Sequence, residues 1–455
     1  MEWQVPEMVI VVRINQEKIT RSERRISSAK SKSAKSMRPK EDEESTSNKK
    51  GYTSATNTVV TRSSMVDNVI PITAYYDSHG HLAEIAIMTC PSALHRKVIQ
   101  AISLCVPFHS FLTKLVIRKG CLDYLLLHEI SKLLPHSNIT DVCLDDTYIP
   151  EGNYYVLLDQ ASNIKYLSLN RCRINDDVCK EIAFRIDFGQ PAGKSLLALD
   201  LSSNKITDTG AKYFGDTLKK NRHLLHLNLL GNRISDVGFG YLLRHLQEFP
   251  LTCDEISDKK RRKMEYTIKK KEVYERCLDE LARMQKADEL CSMLSDKRSS
   301  LTNKHTKFKK AKKSTPQVTE QLSQTNIAEK MTHEIVGDLD DPYEDDNLIK
   351  KDNYYYSTGN LKLCSLNVAY NNIEFPSLLR VLEVLKYQCL LEKRPPNTGL
   401  MRIVLEGNYL PNACPELAHI DMFLKKAGVS HNSVPVQHSG SGKRRPSGLI
   451  SRHRI

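Results

Sequence analysis

The frame L-x-x-L-x-L-x-x-N-x-I occurs twice between Leu196 and Ile234, ending once on Asn204-Lys205-Ile206 and again on Asn232-Arg233-Ile234. The two asparagines stand 28 residues apart. A fixed period of this length, each copy followed by apolar residues at helical spacing, describes stacked strand-and-helix units rather than a closed globule. In the first copy Leu196, Leu199 and Leu201 point inward from a short strand and its bend, while Leu197, Ala198, Asp200 and Ser202 face solvent. Asn204 then turns the chain, and its amide can satisfy backbone groups that the turn leaves unpaired. Thr207 or Asp208 caps the helix that follows, on which Tyr213, Phe214 and Leu218 form an apolar stripe. One such unit cannot cover its own apolar face, so several must stack.

Degenerate copies extend the array. Ile164 to Ile174 keeps the frame with Cys172 at the turn, and Ile139 to Ile149 keeps it with Thr147. Leu112 to Gly120 and Leu82 to Cys90 fit more loosely, as end units of a stack do. Downstream the frame returns at Leu363 to Ile373 with Asn371 and at Leu400 to Leu410 with Asn408, making eight candidate copies. Asn232 and Asn371 are 139 residues apart. If their units are neighbours, about 111 residues are inserted between them as a surface excursion. That insertion is basic first and acidic last: Asp258 to Lys313 carries 19 Lys or Arg against 9 Asp or Glu, and Glu334 to Asp346 carries seven acids and no base. A long polar helix is expected over about Asp254 to Leu294, leaning on the array, with Tyr274, Cys277, Leu281, Met284 and Cys291 near three-four spacing; a coiled coil is the alternative, against which Asp288 interrupts the stripe. Ser299 to Gln324 and the acidic stretch lack periodicity and read as disordered. The expected organisation is a disordered basic arm over 1–66, repeats over 67–248, the insertion over 249–357, further repeats and a cap over 358–428, and a disordered basic tail over 429–455.

The net charge of +13 concentrates in the arms and the insertion. Arg13 to Lys40 holds ten bases and two acids, and Lys443 to Arg454 holds five bases and no acid. Such arms can bind polyanions. Ser447 in Arg444-Arg445-Pro446-Ser447 is a candidate phosphorylation site, where phosphate would cut the local positive charge. The 12 cysteines form no CxxC pair, and Cys90, Cys143, Cys172 and Cys364 sit in repeat frames as small hydrophobes. The apolar run Met8 to Val12 is too short for a signal core or a membrane span, so a soluble cytoplasmic protein is expected.

The sequence offers little for catalysis. Ser439-Gly440-Ser441-Gly442-Lys443 resembles a phosphate loop, but the alignment puts Gln437 at the leading glycine and Arg444 at the metal-binding hydroxyl. No HExxH or GxSxG occurs, and the adjacent acids Asp145-Asp146, Asp176-Asp177 and Asp340-Asp341 read as solvated pairs. Neither catalytic residues, cofactor nor metal ligands are assigned.

Binding falls instead to the outward strand face, whose candidate contacts are Asp141, Asp145, Lys165, Tyr166, Asn170, Arg171, Asp200, His226 and Asn228. An aromatic, charges of both signs and amides in adjacent rows suit a protein surface. Cys172, Asn204, Asn232, Asn371 and Asn408 are the structural turn positions.

The frame followed by Thr207-Asp208-x-Gly210 or Ser235-Asp236-x-Gly238 resembles the ribonuclease-inhibitor class of leucine-rich repeats over most of Leu82 to Leu410. The resemblance implies an α/β leucine-rich repeat solenoid, with a curved parallel sheet inside and helices outside. Within that class the order of parts resembles a family with no assigned catalysis: tandem repeats, His245 to Thr252 leading into the basic run Lys259 to Lys263, a Lys-rich insertion, then Glu406 to Leu410 with Cys414-Pro415. Relatives of the class serve as scaffolds, including in ciliary and flagellar assemblies, which implies a protein partner, axonemal or cytoskeletal. Two further readings stand beside the scaffold. Another branch resembles GTPase activators for Ran, but the acid-rich tail usual there is replaced here by a basic one. The other is polyanion or microtubule attachment through the arms, with nucleic acid not favoured and no membrane involved.

Overall fold

A computed structural model describes residues 9–15, 69–90, 94–120, 122–160, 163–299, 317–391, 398–411 and 413–429. Most of the expected N-terminal arm, the tail and Ser447 lie outside these residues. The chain divides into two compact units, one formed by 1–247 with 360–455 and the other by 248–359.

In the first unit the order is β1 (Val9–Asn15), β2 (Val69–Tyr76), β3 (Leu82–Ile87), α1 (Arg96–Cys105), β4 (Lys114–Ile117), α2 (Tyr124–Leu133), β5 (Asp141–Cys143), β6 (Tyr166–Ser168), α3 (Asp176–Arg185), α4 (Pro191–Ser195), β7 (Ala198–Asp200), α5 (Asp208–Leu218), β8 (His226–Asn228) and α6 (Asp236–Arg244). After the second unit follow β12 (Ser365–Asn367), α9 (Pro376–Leu390), β13 (Arg402–Val404) and α10 (Pro415–Val429). The strands form one ten-stranded sheet in the order β1-β2-β3-β4-β5-β6-β7-β8-β12-β13. All neighbours are parallel except β2 and β3. This is an α/β repeat fold, and each of the eight sequence frames contributes a strand. The first two strands were not read from the sequence. Val9–Asn15 lies inside the segment expected to be a disordered arm and pairs with β2 from Val9↔Val69 to Asn15↔Tyr75.

Strand-centre residues Leu167, Leu199, Leu227, Leu366 and Ile403 are buried in one core with Ile182, Phe214, Phe239, Val381 and Ile420 from the helices. Each such side chain contributes about 1.5–3 kcal/mol of hydrophobic stabilisation. Apolar burial alone does not fix the register between units. Buried amides do. Asn232 donates through Nδ2 to Leu229 O and to Leu201 O of the preceding unit, both at 3.0 Å, and accepts from Ile206 N at 3.1 Å. Asn204 repeats this with Leu201, Leu169 and Ile174, and Asn408 with Leu405, Val368 and Ile373. Asn371 makes the same bonds to Leu229 O and from Ile234 N, so the ladder continues over the whole intervening excursion. At Cys172 the thiol, whose pKa burial pushes up to about 12, keeps its proton and donates to Leu144 O at 3.1 Å. It cannot replace the missing amide acceptor. The buried hydroxyl of Tyr154 does so, accepting from Ile149 N at 3.0 Å and donating to Thr147 O at 2.6 Å.

The residue before each ladder position is left-handed in seven frames: Lys119, Asp146, Arg171, Ser203, Gly231, Tyr370 and Gly407, with φ from 50° to 67°. That turn aims its N–H at the following unit, as from Arg171 to Ser202 O and from Gly231 to Ala369 O. Non-glycine residues accept this conformation at about 1 kcal/mol each.

The Thr/Ser-Asp-x-Gly motif has its own cause. Asp176 Oδ1 accepts from Thr207 N and Gly210 N, at 2.9 and 3.0 Å, and Asp208 accepts from Ser235 N and Oγ, at 2.7 and 2.6 Å. A Cβ at Gly210 or Gly238 would lie 2.5 or 2.3 Å from those carboxylate oxygens. The glycine is there to admit the preceding unit's aspartate.

The second unit contains β9 (Phe249–Pro250), α7 (Cys253–Ser299), α8 (Gln317–Val336), β10 (Leu348–Lys351) and β11 (Tyr354–Ser357), with an antiparallel sheet ordered β10-β11-β9. Two expectations are corrected here. Of the expected stripe on α7, Tyr274, Cys277 and Leu281 join Val273 in a cluster with Ala328 and Met331 of α8, whereas Met284 and Cys291 are exposed; α8 starts at Gln317, within the stretch expected to be disordered. The acidic stretch is also ordered, because it complements the basic start of α7. Arg262 pairs with buried Asp341 at 3.0 Å, and Lys259 and Lys263 pair with Asp345 at 2.8 and 2.9 Å. Composition suggested disorder because these charges meet only after about 80 residues of chain.

Two outcomes follow from these contacts. Asn232→Ala leaves carbonyls of two units and the Ile206 N–H unpaired in a buried site, and is expected to lower stability by about 3 kcal/mol in urea unfolding of the full chain. In the second unit, hydrogen bonds from Lys259 and then Lys263 hold the Asp345 carboxyl at about 2, against 3.8 when unpaired. Since the folded-state value is the lower one, this stabilisation is present above about pH 4 and is lost as pH falls towards 2. Amide exchange across 338–351 should accelerate over that window, and Asp345→Asn should remove the step.

Candidate functional site

Strand alternation divides the sheet into a core side and an outward side, and the pairing register aligns the outward residues in rows. One row runs Glu84, Lys114, Asp141, Tyr166, Ala198, His226, Ser365, Arg402, and the next runs Ala86, Val116, Cys143, Ser168, Asp200, Asn228, Asn367, Val404. The two ends of this face differ in chemistry. Around β3 to β5 it is closed by a small apolar cluster of Ala86, Val116 and Cys143 with Tyr75, and Lys114 is paired with Glu84 at 3.3 Å. From β6 onward it opens.

Along the open part large and small residues alternate: Tyr166, Ala198, His226, Ser365, Arg402. His226 and Arg402 are exposed and Tyr166 is half-buried, its hydroxyl pKa pushed up by burial. Ala198 and Ser365 are short, so they leave notches beside His226, with strands about 4.8 Å apart. Tyr166, His226 and Arg402 are therefore ridges, spaced two strands apart.

The remaining candidates divide by what already holds them. Asp145 accepts from Ser168 Oγ at 2.6 Å and from Asn170 N at 3.2 Å, and it pairs with Arg118 at 3.1 Å. Asp200 accepts from Ser202 N and Oγ, at 2.9 and 2.6 Å, closing the turn that ends β7. Asn228 does the same for Leu230 N at 3.2 Å, and Asn367 for Ala369 N at 3.1 Å. These polar residues recur at strand ends because a short side-chain acceptor stops the strand there. Asp141 accepts from Thr140 Oγ1 at 3.2 Å, and Arg171 lies 3.8 Å from Asp146 with most of its side chain exposed. Lys165, just before β6, is exposed. Asn170 Oδ1 is buried without a hydrogen-bond partner, an unspent acceptor at the edge of the face.

Arg402 and Ser365 were not nominated from the sequence, although they occupy the frame position of His226. The signal was the frame itself, carried past the insertion. Among the described residues no group of three or more His, Cys, Asp or Glu is arranged to hold a metal ion, and no helix is long and apolar enough to cross a membrane.

A family model described as Leucine Rich repeat matches residues 194–215 and 220–242, the two units with the most regular frames. The chain therefore carries leucine-rich repeats, a module that generally mediates protein–protein interaction. No curated protein matches it.

The division between turn-forming and uncommitted residues is measurable. Asp200→Ala is expected to lower stability by about 1 kcal/mol through loss of its turn. His226→Ala and Arg402→Ala should each stay within about 0.5 kcal/mol of the parent in the same unfolding assay.

Proposed function

We propose that the repeats stack as a solenoid and that the chain is a non-enzymatic scaffold, gripping a protein partner on its outward strand face. The observation that carries this reading is the open row of Tyr166, His226 and Arg402 with notches at Ala198 and Ser365. A rigid sheet presents these groups without ordering cost, which is how a few anchor residues come to dominate an interface. Asp141, Lys165, Asn170 and Arg171 flank the row and supply polar contacts. Asp145, Asp200 and Asn228 act by shaping it.

A ciliary or axonemal setting belongs to the same proposal. Its support is the resemblance in order of parts to the leucine-rich repeat-containing protein 71 family, with repeats on both sides of a Lys-rich insertion.

Proximity labelling with the full chain in a ciliated and a non-ciliated cell type tests both parts. Proteins enriched by the parent should be lost with a Tyr166→Ala, His226→Ala, Arg402→Ala triple variant, and a reconstituted partner should bind that variant at least about tenfold more weakly. An unchanged partner set from the triple variant would remove the strand face as the site. The same set in both cell types would remove the ciliary setting alone.

A further inference from the structure

A second row crosses the strand-to-helix turns, away from the strand positions just described. The residue following each ladder position is Tyr148, Arg173, Lys205, Arg233, Asn372 and Tyr409 in six consecutive units, and every one of these side chains is exposed. The backbone keeps the later members in step. Lys205 N donates to Ile174 O and Arg233 N to Ile206 O, both at 2.8 Å, while Asn372 N and Tyr409 N donate to Ile234 O and Ile373 O at 2.9 Å. Three successive units thus present one cation each at the same frame position.

Among the described residues Lys205 and Arg233 have neither a charged nor a ring partner, and Arg173 has a ring alone, lying over Tyr148 at 4.9 Å. The nearest acids in sequence, Asp176, Asp208 and Asp236, are occupied by Thr207, Ser235 and Ser377. A row of like charges at about 4.8 Å spacing opposes folding weakly.

The spacing indicates what would complement it. An α-helix advances about 5.4 Å per turn, so acidic residues at i, i+4 and i+7 stand almost one repeat apart. A continuous polyanion fits less well, because exposed Asp177 and half-exposed Asp146 border the row. We propose that this row binds an acidic α-helix of a partner protein laid across the turns, one carboxylate per helical turn facing Arg173, Lys205 and Arg233. Tyr148 and Tyr409 receive apolar residues towards its two ends, a span of about 24 Å or some 16 helical residues.

The test uses the full chain and a fluorescein-labelled, alanine-rich helical peptide with glutamate once per turn, read by anisotropy at low and moderate salt. A control peptide carries the same glutamates at consecutive positions. The patterned peptide should bind tighter than the control, weaken with salt, and lose about tenfold in affinity against a Lys205→Glu, Arg233→Glu variant. Circular dichroism melting of that variant should match the parent, since both side chains are exposed. The triple variant of the strand face should bind the peptide as the parent does, which separates this surface from the one proposed above. Equal affinity for the two peptides, or no loss on charge reversal, overturns the proposal. So does tighter capture of a single-stranded oligonucleotide that is abolished by the same reversal.

Discussion

The fold depends on a buried side-chain amide that has partners in two units at once. A parallel strand three residues long leaves its turn carbonyls and the next N–H facing a dry interior, where each unpaired group costs about 1–3 kcal/mol. One asparagine supplies both donors and an acceptor, and in Asn204, Asn232, Asn371 and Asn408 all of that capacity is used. Hydrophobic burial makes the units stack, but it tolerates sliding. The amides fix each turn against its neighbour. Where cysteine takes the position, the donor survives as a thiol and the acceptor must come from elsewhere. Tyr154 brings a hydroxyl from the 3-10 turn Tyr154–Leu158 to the same place.

This dependence explains how much of the fold could be read from residues alone. Leucines at fixed spacing and a recurring asparagine are properties of one unit, so eight frames were legible one at a time. Contacts between distant segments were not. The β1 and β2 pairing joins Val9–Asn15 to a strand more than fifty residues later, and neither strand carries the frame. The acidic stretch looked disordered because its partners, Lys259, Arg262 and Lys263, lie about 80 residues earlier, and only the folded chain brings opposite charges together. For the site, polarity on the outward face was legible, but its division was not. Asp200 and Asn228, contact candidates by their outward position, also accept the hydrogen bonds that close their turns, while Arg402 shows its place only once β12 and β13 follow β8 in one register.

The position of the excursion has a physical reason as well. β8 and β12 pair as directly as β7 and β8 do, and Asn371 joins Leu229 as Asn232 joins Leu201. Loop-closure entropy rises only with the logarithm of length, by about 0.6 kcal/mol per doubling. A long excursion therefore costs little more than a short connection, provided both ends leave and return beside the same pair of strands. Buried Asn360 secures the return. Its Nδ2 donates to Leu218 O and Asn221 O, at 2.9 and 3.0 Å, and its Oδ1 accepts from Lys362 N and Leu363 N, so the chain re-enters the array already in register. Asn221 performs the same task one unit earlier, capping Ile186 O with its amide and receiving Leu224 N.

Internal demand for polar groups also limits where recognition can occur. In the β7 and β8 units the turn consumes an asparagine, the strand end consumes an aspartate or asparagine, and the helix start consumes a threonine or serine together with the preceding aspartate. What remains uncommitted is the outward strand position and the residue after the ladder amide. Among the described residues no side-chain hydrogen bond or ion pair ties His226, Ser365, Arg402, Lys205 or Arg233 to the stack, so these positions can vary from one repeat to the next without disturbing it. The strand position does vary, from Tyr166 through Ala198 and His226 to Arg402. The turn position instead stays cationic over three units, at Arg173, Lys205 and Arg233, although like charges in adjacent rows repel. A variable row suits a shaped partner surface, and a uniform row suits a partner whose own charges repeat, which is why the two proposed sites call for different ligands.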